Sequence, residues 1–360
     1  MQSETSAPEV VADLIRRAEA AGASDVHLHM TGADTGAAVA FRLDGVLVPV
    51  RQLQAELAER VFGRIKFLAR LKTYQDSLPQ DGRINRADSG AQHDLRVATY
   101  PTVTGEKIVL RLFQEAAVAT LAELGLPADV TAGLEVFLAG HSGLLLLTGP
   151  AGSGKTTTIY ACLRHLAQAG GRHIITVEDP VEQVLPGVMQ TEVNEARGLT
   201  FAVAARHLLR QDPQVLVLGE IRDAETAGLA VGAALTGHLV ISTLHAGSCQ
   251  GVFERLLLMG PDAHAVTTAV EMVLNQRLLR RRCAACGGPG CPECLQTGYR
   301  GRLPVVETVR VDAALRRRLR SVGPEVVVPG RTLEAAAREV VGRGLSDGRE
   351  YARVFGQLPG

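Results

Sequence analysis

The chain has 360 residues, 46% hydrophobic and 4% aromatic, and its 38 Lys plus Arg balance 38 Asp plus Glu to a formal net charge of zero. That length allows two domains with a sizeable core, while neutrality, few aromatics and no Trp argue against a protein that lives on nucleic acid. The longest apolar runs, 144–147 and 215–218, are too short to cross a bilayer, and MQSETSAPEV lacks the features of a secretory leader, so a cytoplasmic location is expected.

Residues 9–21 carry apolar side chains at helical spacing (Val10, Leu14, Ile15, Ala18), and Gly22 is a natural stop. Alternating stretches at 25–30 and 38–50, with Asp44 and Gly45 as a hairpin turn, predict strands. A helix over roughly 52–71 follows. Next come a hairpin with one arm near Arg83 and Ile84, a turn from Ala87 to Gly90, a return arm from Asp94 to Tyr100, and a strand from Glu106 to Phe113. These elements predict a small α+β domain over 1–114. A linker and connecting helix are expected over 115–140, broken at Gly125 and Pro127.

From Gly143 the pattern changes. Short, wholly apolar strands at 144–148, 173–178, 215–219 and 239–243 alternate with helical segments, which predicts an α/β domain around a parallel sheet. Its limits are taken as 141–310, with a helical tail over 311–360.

The chemistry begins after the first of those strands. Gly149, Pro150, Ala151, Gly152, Ser153, Gly154, Lys155 and Thr156 fit the P-loop pattern in full, with Thr157 following. The glycines let backbone N–H groups turn inward around phosphates, and the helix that starts there adds its dipole. Lys155 would bridge the phosphates of ATP, and the Thr156 hydroxyl would take a place on Mg²⁺. Hydrolysis also needs a carboxylate near the γ-phosphate. Glu220 ends one buried strand and Glu178, with Asp179, ends another, so both acids are expected on the nucleotide side of the sheet. Their order as bases stays open. His238 and His245, at either end of strand 239–243, are read as flanking a further loop at that edge, one of them sensing the γ-phosphate or linking it to a neighbouring subunit, with an ordinary structural role as the alternative.

Six cysteines include Cys283, Cys286, Cys291 and Cys294, in a C-x₂-C-x₄-C-x₂-C spacing that suits tetrahedral Zn²⁺; reduced, unligated thiols are the alternative. Arg277 and Arg280 to Arg282 form a basic run, as do Arg316 to Arg320. A solvated helix face accounts for them, with contact to anionic lipid as the other reading.

Several stretches are more specific than any of these motifs: ASDVHLHM, FRLDGVLVPV, LRVATYPTVTGEKIVLRL, ITVEDPVEQVLPGVMQTEVN, GEIRD and TGHLVISTLH, with QRLLRRRCAAC and CPECLQTGYRGRLPVVE around the cysteines. Over roughly residues 20–310 the sequence resembles the secretion ATPases of the type II secretion and type IV pilus assembly group. The resemblance implies a RecA-like P-loop ATPase domain preceded by a PAS-like domain, working as a homohexamer. It makes residues 149–156 the Walker A loop and Glu220 the glutamate of an atypical Walker B motif with Gly219 before it. Glu178 and Asp179 fall in the aspartate box, His238 and His245 in the histidine box. Arg83, Arg96 and Arg111 match basic residues that the N-terminal domain brings to the phosphates.

The implied activity is ATP hydrolysis driving assembly of a pilus or pseudopilus, for secretion, pilus extension or DNA uptake, through an inner-membrane platform protein. Membrane contact would be indirect, at the inner face of the cytoplasmic membrane, with no direct nucleic-acid partner. Retraction motors generally lack the tetracysteine element, so assembly or secretion is favoured. An inactive scaffold ring and a RecA-like nucleic-acid motor are the competing readings. Three departures stand out: four residues where the family has a longer insertion between the cysteine pairs, Ala246 and Gly247 where it has Thr-Asn after the histidine, and a start almost at the PAS-like domain.

Overall fold

The computed structural model describes residues 6–32, 34–112, 118–260 and 262–356. The expected domain boundary at 114 and the end of the strand at Phe113 lie outside the described residues. The chain divides into two compact units, one of Met1–Ala116 with Arg282–Gly301, the other of Ala117–Arg281 with Arg302–Gly360.

The first unit opens with α1 (Ala7–Ala20), whose start is fixed by a reciprocal capping box between Ser6 and Glu9. Then come β1 (Asp25–Gly32), β2 (Gly36–Leu43), β3 (Val46–Leu53), α2 (Ala55–Leu68), β4 (Gln80–Ile84), the single turn α3 (Arg86–Ser89), β5 (Leu95–Thr102) and β6 (Gly105–Leu112). The strands form a sheet in the order β3-β2-β1-β6-β5-β4, antiparallel throughout. Alternation sets its faces. Val26, Leu28, Val39, Phe41, Val97, Ile108 and Leu110 are buried with Leu14 and Ile15 of α1 and Val61 and Ile65 of α2 in one apolar core. Most charged strand side chains take the other parity; Glu106 is an exception, buried 3.1 Å from the buried Lys66 of α2.

The second unit carries α4 (Ala128–Ala139), β7 (Gly143–Thr148), α5 (Lys155–Ala169), β8 (Ile174–Glu178), β9 (Met189–Glu192), α6 (Phe201–Leu208), β10 (Val215–Leu218), α7 (Ala224–Leu235), β11 (Leu239–Thr243), α8 (Cys249–Leu258) and α9 (Ala263–Ala269). It closes with β12 (Val270–Arg282), β13 (Tyr299–Arg310), α10 (Ala313–Ser321), α11 (Leu333–Gly342) and α12 (Gly348–Phe355). Its seven-stranded sheet runs β13-β12-β7-β11-β10-β8-β9. Every residue of β7, β8, β10 and β11 is buried. These strands pair in parallel, with separate apolar clusters on the two sides of the sheet, as expected for strands covered on both faces.

Three expectations need correction. The basic run at 277–282 lies on strand β12, not a helix. Arg280 is largely buried there, 2.8 Å from the fully buried Glu350 of α12, so it is a structural ion pair and not a lipid-facing charge. Arg316 of α10 likewise turns inward, bonding the Thr267 carbonyl and Glu271. Chain order alone places the tetracysteine segment in the second domain. Residues 282–301 instead belong to the first unit, where Leu295 packs against the apolar core and Gly301 N–H donates to Asp44 at 2.8 Å. Asp44 sits in the β2–β3 turn with a left-handed φ of 48°.

Candidate nucleotide site

Strand β7 ends at Thr148 and the chain turns through 149–154 into α5. Two of the glycines there are demanded by close packing. A Cβ on Gly149 would come 2.4 Å from the Gln276 carbonyl, and one on Gly154 would come 2.6 Å from the Gln276 side-chain nitrogen; both positions also have positive φ. The loop thus rests on β12, and Thr158 of α5 donates to Gln276 Oε1 at 3.0 Å. No side chain caps the start of α5, which leaves its first N–H groups for an anion. The Lys155 ammonium folds over the loop, donating to the carbonyls of Gly149 (2.8 Å) and Pro150 (3.0 Å). Burial holds it below the ordinary lysine range, with Arg277 adding to this and Glu220 opposing it. The exposed Thr156 hydroxyl has no hydrogen-bond partner among the described residues and fits a metal ligand.

Around this loop lies a cavity of about 360 Å³, lined by Lys155, Thr156, Tyr160, Glu178, Asp179, Glu220, Arg222 and His245 among others. The acids arrive from neighbouring parallel strands, since Val177 of β8 pairs with Leu218 of β10. Their surroundings differ. Glu178 is buried and accepts from Tyr160 Oη (2.5 Å), Thr176 Oγ1 (2.5 Å) and Gln190 Nε2 (2.9 Å). Burial and Glu178 together push the Tyr160 phenol well above its ordinary range. Its oxygen also accepts the N–H groups of Glu182 and Gln183, so Glu178 anchors the following loop to α5. Glu220 has lighter engagements: His245 Nε2 stands 3.0 Å from Oε1, and Arg222 Nε donates to Oε2 at 2.7 Å.

His245 therefore joins the site, and His238 does not. His238 precedes β11, which runs parallel to β7, and its carbonyl accepts from Gly143 N–H at the amino end of that strand. Its ring lies 2.9 Å from the Ala233 carbonyl, closing the end of α7. A strand separates it from the P-loop edge, at about 3.3 Å per residue. The Ala246 departure leaves bonding intact, because Thr148 Oγ1 bonds both the N–H and the carbonyl of Ala246 at 2.9 Å. Sequence reasoning missed Tyr160, Gln190, Arg222 and Gln276. Of these only Arg222, two residues beyond Glu220, carried a signal.

In the first unit, pairing sets Arg83 opposite Arg96, Arg96 opposite Arg111, Arg111 opposite Asp25 and Asp25 opposite Arg42. Like charges placed directly across a sheet repel. Asp25, 4% exposed, accepts from Arg111 at 3.0 Å and lies 3.4 Å from Arg42, while Arg83 pairs with Asp94. The three arginines singled out by sequence thus share one row, and Arg42 extends it.

The four sulfurs of Cys283, Cys286, Cys291 and Cys294 lie within 4.8 Å of one another. Separations of 3.9, 4.0 and 3.7 Å match the roughly 3.8 Å edge of a tetrahedron with metal–sulfur bonds of about 2.3 Å. Burial raises the Cys294 thiol, but N–H donation from Cys291 and Gly298 outweighs it and brings the group down to about 6. The donor set fits a closed metal site.

The family described as Type II/IV secretion system protein matches residues 2–353. The chain belongs to this family of secretion ATPases. It is 44% identical to the type II secretion system protein HxcR of Pseudomonas aeruginosa over 84% of its length and 66% of the relative's. It is 38% identical to the type II secretion system ATPase E of Vibrio cholerae over 90% and 70% respectively, so it spans about two thirds of these relatives. Among solved structures, the Legionella pneumophila ATPase DotB aligns with a TM-score of 0.74 at 21% identity, over 99% of this chain and 97% of that one, a likeness of fold. The pilus retraction motor PilT with bound ADP aligns at 0.60 and 26% identity, over 96% and 93%. The RecA-like P-loop fold expected for the second unit is the one these neighbours share.

Proposed function

We propose that this ATPase drives assembly of a pilus or pseudopilus for type II secretion, pilus extension or DNA uptake, with Glu220 as the general base. The observation that carries the reading is Glu220 in the P-loop cavity with His245 and Arg222 on its carboxylate. Lys155 and the backbone N–H groups of 151–156 would hold the phosphates, and Mg²⁺, held by Thr156, would neutralise charge on them. Glu220 takes a proton from water, whose oxygen attacks the γ-phosphorus as the bond to the ADP oxygen breaks. Glu178, buried and held by its three donors, shapes the cavity wall.

The rest of the reading comes from the family: six copies in a ring, a PAS-like first domain built mainly from about 1–114, and Arg83, Arg96 and Arg111 serving the phosphates. A platform protein at the inner face of the cytoplasmic membrane would receive the work. No described helix is long and apolar enough to cross a membrane. The cysteine cluster would hold one Zn²⁺ structurally, since four thiolates leave no open position. Lys155→Ala tests the catalytic reading. Turnover should fall at least ~10²-fold in a folded protein, and a near-normal phosphate-release rate would remove the assignment.

A further inference from the structure

Arg222 is half-exposed, at 52%, and the loop that carries it does not need its side chain. Ile221 N–H donates to the Thr243 carbonyl at 2.9 Å, and Asp223 caps α7 by accepting from Thr226 N–H at 2.7 Å. The guanidinium nevertheless has a fixed place. Nε is on Glu220 at 2.7 Å, Nη1 is 3.6 Å from Asp179, and the group lies over the Phe201 ring at 5.7 Å. The flat ring face supports a planar cation, and the fork suits two acceptors at once.

The position answers an electrostatic problem. Adjacent strand ends deliver Glu178, Asp179 and Glu220 to one cavity that must also accept a polyanion. Lys155 faces the phosphate side and folds onto the loop, and His245 holds only one Glu220 oxygen. Among the described residues, Arg222 is the cation seen to span the gap between the two strand ends.

We propose that Arg222 is a positioning residue that bridges Glu220 and Asp179 and so aims the Glu220 carboxylate at the attacking water. This rests on the reading of Glu220 as the base. Arg222 acts through Glu220 without touching the phosphates. Losing it lets the carboxylate swing, which slows proton abstraction and leaves nucleotide binding alone. A displacement of about 1 Å at such a group can cost ~10²-fold in rate.

The test is steady-state ATPase kinetics on the full chain with Arg222→Gln, Arg222→Lys, Glu220→Gln and the Glu220→Gln/Arg222→Gln double variant. Arg222→Gln should lower kcat about 10- to 100-fold with KM for ATP changed less than about threefold. Arg222→Lys, which keeps the charge but not the fork, should recover several-fold of that loss. In the Glu220→Gln background the second substitution should add nothing, because there is no longer a carboxylate to aim. Full additivity would overturn the proposal in favour of direct action on the phosphates, as would a KM effect as large as the kcat effect. If the Gln variant folds poorly, the Lys variant carries the test, and unchanged kinetics from a Lys that cannot span both acids would also overturn it. Glu220→Gln turning over like the parent would sink the base assignment itself, a separate result from an inert Arg222→Gln beside a dead Glu220→Gln.

Discussion

Two glutamates reach the same cavity, and their partners divide the labour. Three donors converge on Glu178, so an amide there must turn an N–H₂ toward hydroxyls that donate. Glu178→Gln should therefore cost on the order of 1–3 kcal/mol, seen as a melting temperature lower by several degrees, with much of its rate loss in KM. Glu220→Gln should keep ATP binding and lower kcat by about 10²–10³-fold, since an amide cannot take the proton. Trapped nucleotide in the Glu178 variant alone would reverse these roles. The sequence placed both acids at strand ends but could not rank them. The ranking lies in Tyr160, Thr176 and Gln190, which approach Glu178 from a helix, its own strand and a later strand, and no spacing rule links them. His238 misled for a related reason. It and His245 bracket one strand, and a strand's two ends lie on opposite edges of a sheet.

At the scale of elements, β12 and the loop after it show how far pattern reading goes. The apolar cores of β7, β8, β10 and β11 were legible because strands buried on both faces are unbroken apolar runs. Strand β12 was not, because Arg277 and 280–282 mask it, and the explanation lies in α12: Glu350 is wholly buried and accepts from Arg280 and Arg353. Burial pushes Glu350 up, but Arg353 and Arg280 outweigh it and hold the carboxyl below its usual range. A depressed carboxyl contributes stability that is complete above the ordinary glutamate value and lost as pH falls through its own lower value. Glu350→Ala should cost about 3 kcal/mol near neutrality, and the gap from the parent should narrow in melts below about pH 4. The cysteine loop carries its own expectation. Protein prepared without added metal should hold one Zn²⁺ per chain, and Cys286→Ser should lower both zinc content and melting temperature. Under half a zinc per chain with an unchanged melt would return the thiols to the unligated reading.

For the whole molecule, the informative feature of the first unit is its row of arginines. Four arginines stand in one row across the sheet, with Arg42 and Arg111 on Asp25 and Arg83 on Asp94, and on the proposed function that row serves the phosphates. Arg96→Ala should lower turnover more than it weakens ATP binding, measured as kcat against nucleotide affinity. Arg111→Ala is the poorer probe, because it also strips a cation from the buried Asp25. The α+β and α/β halves were both legible from periodicity. The membership of 282–301 was not, because chain order places that segment after β12 and only Leu295 and Gly301 reveal where it packs.

That membership has a temporal side. The first unit is written in two pieces, and the whole stretch Ala117–Arg281 separates them on the ribosome. At roughly 5–20 residues per second, the sheet of α1 to β6 emerges on the order of ten seconds before its cysteine loop. During that interval the surface that later receives Leu295 is bare, and Asp44 has yet to meet the Gly301 N–H. The first unit to leave the ribosome is thus completed only at Gly301, after most of the second unit and before its last helices, and the piece that completes it carries the four thiols proposed to hold a metal.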